Sequence, residues 1–171
     1  MQASPSLKSL KLLALAGVFA LAATSARPAG HDIYPEPAQS RASLAAAMRQ
    51  APIAHKRILV DFGGNGCGDC QILDMYLHDS RNRQILESNY ILVHMNVGQY
   101  DANLDIARKY GIPLDKGVPA LAVLSEKGAL LYSQKTGEFE AMRRMESGAV
   151  TSFLVQWKPV HTGCSTVIVN C

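Results

Sequence analysis

The chain of 171 residues lacks most of the features that mark the common catalytic and binding classes. Tryptophan occurs once, and aromatic residues make up only 6% of the sequence. Charged residues account for 18%, the net charge is +3, and no stretch gathers lysines and arginines. A nucleic-acid surface needs clustered cations beside stacking aromatics, so that class is excluded. The glycines at 63, 64, 66 and 68 fit neither a dinucleotide fingerprint nor a phosphate loop. No Ser-His-Asp order, paired-carboxylate signature, internal repeat or low-complexity tract is present, and His31, His55 and His161 are scattered. Only four cysteines occur, Cys67, Cys70, Cys164 and Cys171, and no second Cys-x-x-Cys accompanies the first. Zinc takes about four ligands. His78 or His94 would have to complete the set, so neither a metal nor another cofactor is expected.

What the sequence does have begins at its N-terminus. Lys8 and Lys11 flank an uncharged apolar run, Leu12 to Leu21, and residues 22–26 are mostly small. That order of basic, apolar and small segments is a secretory signal peptide over residues 1–26. The apolar run is short of the roughly 20 residues that span a bilayer, which leaves an uncleaved anchor as the lesser alternative. Membrane attachment is expected only in that case. No cysteine near residue 26 offers a lipid-anchor site. Removing 26 of 171 residues leaves 145, enough for one domain with a proper core. The net charge falls from +3 to +1, because the segment carries two lysines and no acid. An exported chain, periplasmic or secreted, can hold disulfides.

Residues 27–39 contain four prolines and glycines and read as a flexible lead-in segment. Ser40 to Gln50 reads as a helix, with Leu44, Ala45, Ala47 and Met48 to one side, Ser40 or Ser43 as its cap, and Pro52 as its end. Ile58 to Phe62 is continuously apolar, as central parallel strands are. A helix follows Cys70 on the spacing of Ile72, Leu73, Met75, Tyr76 and Leu77, ending near Asp79, and Arg83 to Glu87 is a short helical piece. Tyr90 to Val97 reads as a strand and Leu104 to Tyr110 as a helix closed by Gly111. A loop from Ile112 to Val118 leads to Pro119. Leu121 to Leu124 and Ala129 to Ser133 form a hairpin about Glu126-Lys127-Gly128, and Gly148 to Trp157 is a closing helix.

The chemistry concentrates in Asp61-Phe62-Gly63-Gly64-Asn65-Gly66-Cys67-Gly68-Asp69-Cys70. A strand that turns through glycines into a helix places Cys67 at the helix N-terminus. Free backbone N–H groups and the helix dipole stabilise a thiolate there. Cys70, one turn further in, is within reach to close a disulfide. A structural disulfide or half of a metal site uses the same two residues.

Val60-Asp61-Phe62, Cys67-Gly68-Asp69-Cys70 and Gly117-Val118-Pro119-Ala120, in that order, resemble the thioredoxin superfamily over roughly Ile58 to Trp157. The resemblance implies an α/β, thioredoxin-like fold, a central mixed β-sheet flanked by helices, in a domain of residues 40–158. It implies that Cys67 attacks a partner disulfide and Cys70 resolves the mixed disulfide. Asp61 stands where the family keeps a buried acid. Burial favours the neutral form of a carboxyl, which suits it to take or return the Cys70 proton. Pro119 is expected to be cis and to present the Val118 backbone to an extended substrate.

Two departures qualify the resemblance. Gly66 stands where the family usually has tryptophan, which implies an open rim that substrate can approach. Gly68-Asp69 replaces the Gly-Pro of thioredoxin, and the Asp69 charge should disfavour a Cys67 thiolate and give a more reducing couple. His94 falls where thioredoxin has a lysine near the acid and could tune that acid, but a strand histidine is more often simply packed. In the tail, residues 159–171, Cys164 and Cys171 are expected to form a structural disulfide, with a second redox pair as the alternative. The expected function is an extracytoplasmic thiol–disulfide oxidoreductase, reducing or exchanging disulfides in exported proteins. Its partners are disulfide-containing or dithiol proteins and an upstream electron donor or acceptor protein. A disulfide-forming oxidant, or a non-catalytic binding module on the same fold, is the alternative.

Overall fold

The computed structural model describes residues 32–160. The expected signal segment 1–26, the start of the lead-in segment and the expected pairing of Cys164 with Cys171 lie outside those residues. The elements in order are α1 (Pro37–Ala54), β1 (Arg57–Gly63), α2 (Gly68–Leu77), α3 (Ser80–Asn89) and β2 (Tyr90–Asn96). They are followed by α4 (Leu104–Lys109), β3 (Ala120–Leu124), β4 (Leu130–Ser133) and α5 (Ser147–Gln156). The strands form one sheet in the order β2-β1-β3-β4, with β1 and β2 parallel and the other pairs antiparallel. This is the mixed sheet flanked by helices that the motifs imply. No helix among the described residues is long and apolar enough to cross a membrane.

β1 is buried on both faces, which explains its unbroken apolar sequence. Ile58, Val60 and Phe62 pack with Leu44, Ala47 and Ala51 of α1 and with Ile106 of α4. Leu59 points the other way, to Leu73 and Leu77 of α2, Leu86 of α3 and Leu154 of α5. Side chains alternate along a strand, so Asp61 falls on the face of Leu59, under α2. The parallel register sets His94 of β2 directly beside it.

Several boundaries differ from the sequence expectation. α1 starts at Pro37, where proline suits the first helical turn, and neither Ser40 nor Ser43 caps it. Ser40 is buried within the helix, and its Oγ accepts a hydrogen bond from the Asn96 N–H at 3.1 Å. Pro52 does not end α1. It sits in the last turn, where it removes one backbone bond, and buried Leu44, Ala47 and Ala51 hold the helix through to Ala54. The expected piece at Arg83 extends to a full helix, because Asp79 accepts from the Arg81 and Asn82 N–H groups and caps it.

The lead-in segment is anchored from Tyr34 onward. Tyr34 is 1% exposed, and its backbone N–H and C=O pair with the Asn65 side chain at 2.8 Å each. Asn96 holds the Pro35 carbonyl at 2.8 Å. A buried ring with satisfied backbone partners overrides the loose composition of the stretch.

Candidate active site

β1 ends in Gly63, and the chain turns through Gly64, Asn65 and Gly66 before α2 begins. Cys67 is the N-cap of α2 in extended conformation, and its Sγ accepts the Cys70 N–H at 3.0 Å. The helix therefore aims an unpaired donor at the first sulfur, as the spacing of the motif implies. Cys67 and Cys70 are joined in a disulfide. Cys67 is half-buried at the rim, whereas Cys70 is fully buried.

The Val118–Pro119 bond is cis, and the Val118 carbonyl oxygen lies 3.5 Å from Cys67 Sγ. A cleft of about 300 Å³ opens at this point, lined by Gly64, Gly66, Cys67, Gly68, Asp69, Val97, Gly98, Gln99, Tyr100 and Val118. Gly66 is exposed, and a Cβ built on it meets nothing within 4 Å. The missing tryptophan thus leaves open space. Tyr100, exposed on the loop after β2, is the aromatic residue at this cleft.

Asp61, on the strand that leads into the glycine turn, has no exposed surface. The Tyr34 hydroxyl donates to its Oδ2 at 2.6 Å, and His94 Nδ1 lies 3.0 Å from the same oxygen. Oδ1 is buried with no hydrogen-bond partner among the described residues. Burial, then the charge and hydrogen bond of Asp61, push the Tyr34 phenol far above its ordinary value. Tyr34 therefore remains a hydroxyl donor at any ordinary pH. For His94, burial opposes the charged form, but the hydrogen bond and charge of Asp61 and the charge of Asp74 outweigh it. Its pKa lies above the ordinary 6.5.

Gly63 is required by this packing. A Cβ there would sit 2.6 Å from Tyr34 Cζ and 2.8 Å from Cys70 Sγ, closer than real contacts allow. The phenol, bonded to the acid, and the inner sulfur thus both close over Gly63. Sequence reasoning missed Tyr34, because it lies in the segment read as flexible and 27 residues from Asp61.

Asp69 also acquires a partner that the local sequence does not reveal. The backbone N–H of Arg143 donates to its Oδ1 at 2.9 Å, and the guanidinium is 3.7 Å from its Oδ2. That guanidinium lies over Gly68, where any Cβ would run into it. The expected negative field of Asp69 at Cys67 is therefore opposed by a cation just as close to the motif. The acid alone does not set the charge at the sulfurs.

The reading of His94 as a packed strand residue is likewise corrected. Its ring bridges Asp61 and the side chain of Asp74, whose Oδ1 is 3.6 Å from Nε2. The β1–β2 register brings the histidine to the acid, and α2 brings the second carboxylate over both. Among the described residues, no three His, Cys, Asp or Glu side chains are arranged to hold a metal ion.

The profile of the thioredoxin-like family matches residues 39–125. A search among functionally curated proteins finds no match. Among solved structures, the chain is similar to a disulphide isomerase from Xylella fastidiosa Temecula1. The two are 31% identical with a TM-score of 0.69, over 72% of this chain and 95% of that one. The fold alone is shared with the C-terminal domain of Neisseria meningitidis DsbD in its reduced form. There the identity is 19% and the TM-score 0.50, over 68% of this chain and 95% of that domain. Matched family span, cis-proline loop and helix-capping disulfide coincide, and the chain belongs to the thioredoxin-like family, as a thiol–disulfide oxidoreductase with Cys67–Cys70 as its active-site disulfide.

Proposed function

We propose that the protein works outside the cytoplasm, in the periplasm or secreted, reducing or exchanging disulfides in exported proteins. The signal-like pattern of residues 1–26 supports the location. One observation carries the chemistry: a rim sulfur at a helix N-terminus, in an open cleft, is bonded to a buried sulfur. In the reduced protein the Cys67 thiolate attacks one sulfur of a substrate disulfide. A Cys67–substrate bond forms, and the other substrate sulfur leaves as a thiolate that takes a proton from water. Cys70 then gives its proton to Asp61, attacks Cys67 Sγ and expels the second substrate sulfur as a thiolate, which takes a proton from water. Two electrons pass from the protein dithiol to the substrate disulfide. An extended substrate segment lies along Val118-Pro119 and Gly66, where main-chain contacts give binding that tolerates many sequences.

The Xylella protein is described as a disulphide isomerase. We extend the exchange half of that chemistry to this chain, since an open cleft admits a folded partner's disulfide. Reduction of insulin disulfides in the presence of dithiothreitol, and reactivation of scrambled ribonuclease, measure the two activities. Turnover in either assay that is abolished by Cys67→Ser is the expected result. A protein inert in both would overturn the reading. Localisation is tested separately, by fractionating cells that express the full chain and finding the mature form shortened at its N-terminus.

A further inference from the structure

The buried acid raises a question of transport. Each exchange cycle moves a proton onto Asp61, which has no exposed surface. That proton stays on the buried carboxyl until Cys70 is reduced again, or it leaves for water. The Tyr34 hydroxyl, which holds Oδ2, has burial and the Asp61 charge against losing its own proton. His94 is the other partner of Oδ2, and its far nitrogen faces a different environment.

That environment is a cavity of about 470 Å³ lined by Asp32, Ile33, Asp74, His78, Arg83 and His94. It shares no lining residue with the cleft at Cys67. Asp74 stands in the middle of it, 3.6 Å from His94 Nε2 and 3.1 Å from His78 Nδ1. His78 is exposed at the end of α2. Cys70, Asp74 and His78 recur at intervals of four along α2, so one face of that helix runs from the inner sulfur to solvent.

We propose that His94 is the proton exit of the active site, passing protons between Asp61 and the cavity around Asp74 and His78. The inference rests on the exchange reading above. When Cys70 is deprotonated, Asp61 passes the proton to His94 Nδ1, and the ring releases its other proton from Nε2 to Asp74 or to water in the cavity. His94 ends neutral, with Nδ1–H donating to the Asp61 carboxylate. When a donor dithiol reduces Cys67–Cys70, the Cys70 thiolate needs a proton, and the sequence runs backwards. A proton enters at Nε2, Nδ1–H is given to Asp61, and the ring regains its first tautomer. One cycle exports one proton and imports one. The charged groups facing the ring come from every element around it: Asp61 of β1, Asp74 and His78 of α2, Arg83 of α3, and Asp32 with the Tyr34 hydroxyl from the lead-in segment.

The test separates the two sulfur steps. Reduced protein is mixed with an excess of an aromatic disulfide such as 5,5′-dithiobis(2-nitrobenzoate). Attack by Cys67 releases one coloured thiolate, and closure by Cys70 releases the second. His94→Gln keeps a donor for Asp61 but cannot carry a proton. It should leave the first phase unchanged and slow the second about tenfold or more, flattening its pH dependence. In His94→Gly, added imidazole should restore the second phase, a rescue that a merely structural role does not give. A second phase in His94→Gln with wild-type rate and pH profile overturns the relay, as does slowing without rescue by imidazole. If the variants fail to fold, the wild-type protein in heavy water decides. An isotope effect on the second phase but not the first supports the relay, and none on the second overturns it. A wild-type protein with no first phase fails the exchange reading itself, whatever His94 does.

Discussion

Arg143 alters the electrostatics that the dipeptide between the cysteines implies. Asp69 alone should oppose a Cys67 thiolate, yet Arg143 is bonded to it and lies across Gly68. Arg143→Ala removes the cation and leaves the acid. The Cys67 thiolate should then be less favoured, so alkylation by iodoacetamide at neutral pH slows several-fold, and the couple becomes more reducing. Equal alkylation rates would mean that solvent screens the pair completely. Gly63 gives a second prediction at this scale. Gly63→Ala pushes a methyl group into Tyr34 and Cys70, at a cost of about 1–3 kcal/mol in chemical denaturation. Tyr34→Ala should relieve most of that cost when the two are combined, because the sites share one contact. Additive losses would place the strain elsewhere. Both Asp61 and Cys67 were legible as candidate site residues from motif order, since each lies within a few positions of the glycine turn. Tyr34 and Arg143 were not. They reach the site from segments 27 and 74 residues away in sequence, and only the fold brings them there.

At the scale of elements, one strand register and one helix face build the interior of the site. β1 and β2 pair Asp61 with His94, and α2 carries Cys70, Asp74 and His78 on one face above them. Sequence reasoning followed the apolar residues of that helix and did not single out this polar face, whose meaning depends on which strand it covers. The third contributor is the stretch before α1. Proline and glycine content marked it as loose, whereas paired hydrogen bonds to Asn65 dock it on the glycine turn. Asn65→Ala removes both bonds, and the protein should lose about 1–3 kcal/mol. Limited proteolysis should then cut near Tyr34, where the wild-type chain resists. Unchanged proteolysis would show that ring burial alone holds the segment. The proposed Cys164–Cys171 bridge belongs to this scale too. Replacing both with serine should leave insulin reduction intact, and a large loss of turnover with the fold preserved would make them a relay pair.

For the whole molecule, the architecture follows from a few strong signals: an unbroken apolar strand, a cysteine pair after a glycine turn, and a proline before the next buried strand. Those signals are local, so the sheet with its helices on both faces was legible. The bonds that Tyr34 and His94 make to Asp61, and the link from His94 to Asp74, were not, because each joins two elements. Their coupling has a consequence for the stability of the molecule. His94 has a folded-state pKa above 6.5, so its contribution is fully present below that pH and lost as pH rises through the folded value. The difference in melting temperature between wild type and His94→Gln should therefore shrink as pH increases above 6.5; a constant difference would contradict the pairing. The central claim is that Cys67 attacks and Cys70 resolves, and trapping tests it most directly. Cys70→Ser, reduced and mixed with insulin or a periplasmic extract, should accumulate covalent complexes through Cys67 that dithiothreitol releases, while Cys67→Ser accumulates none. Complexes that form through Cys70, or none with either variant, would contradict the account.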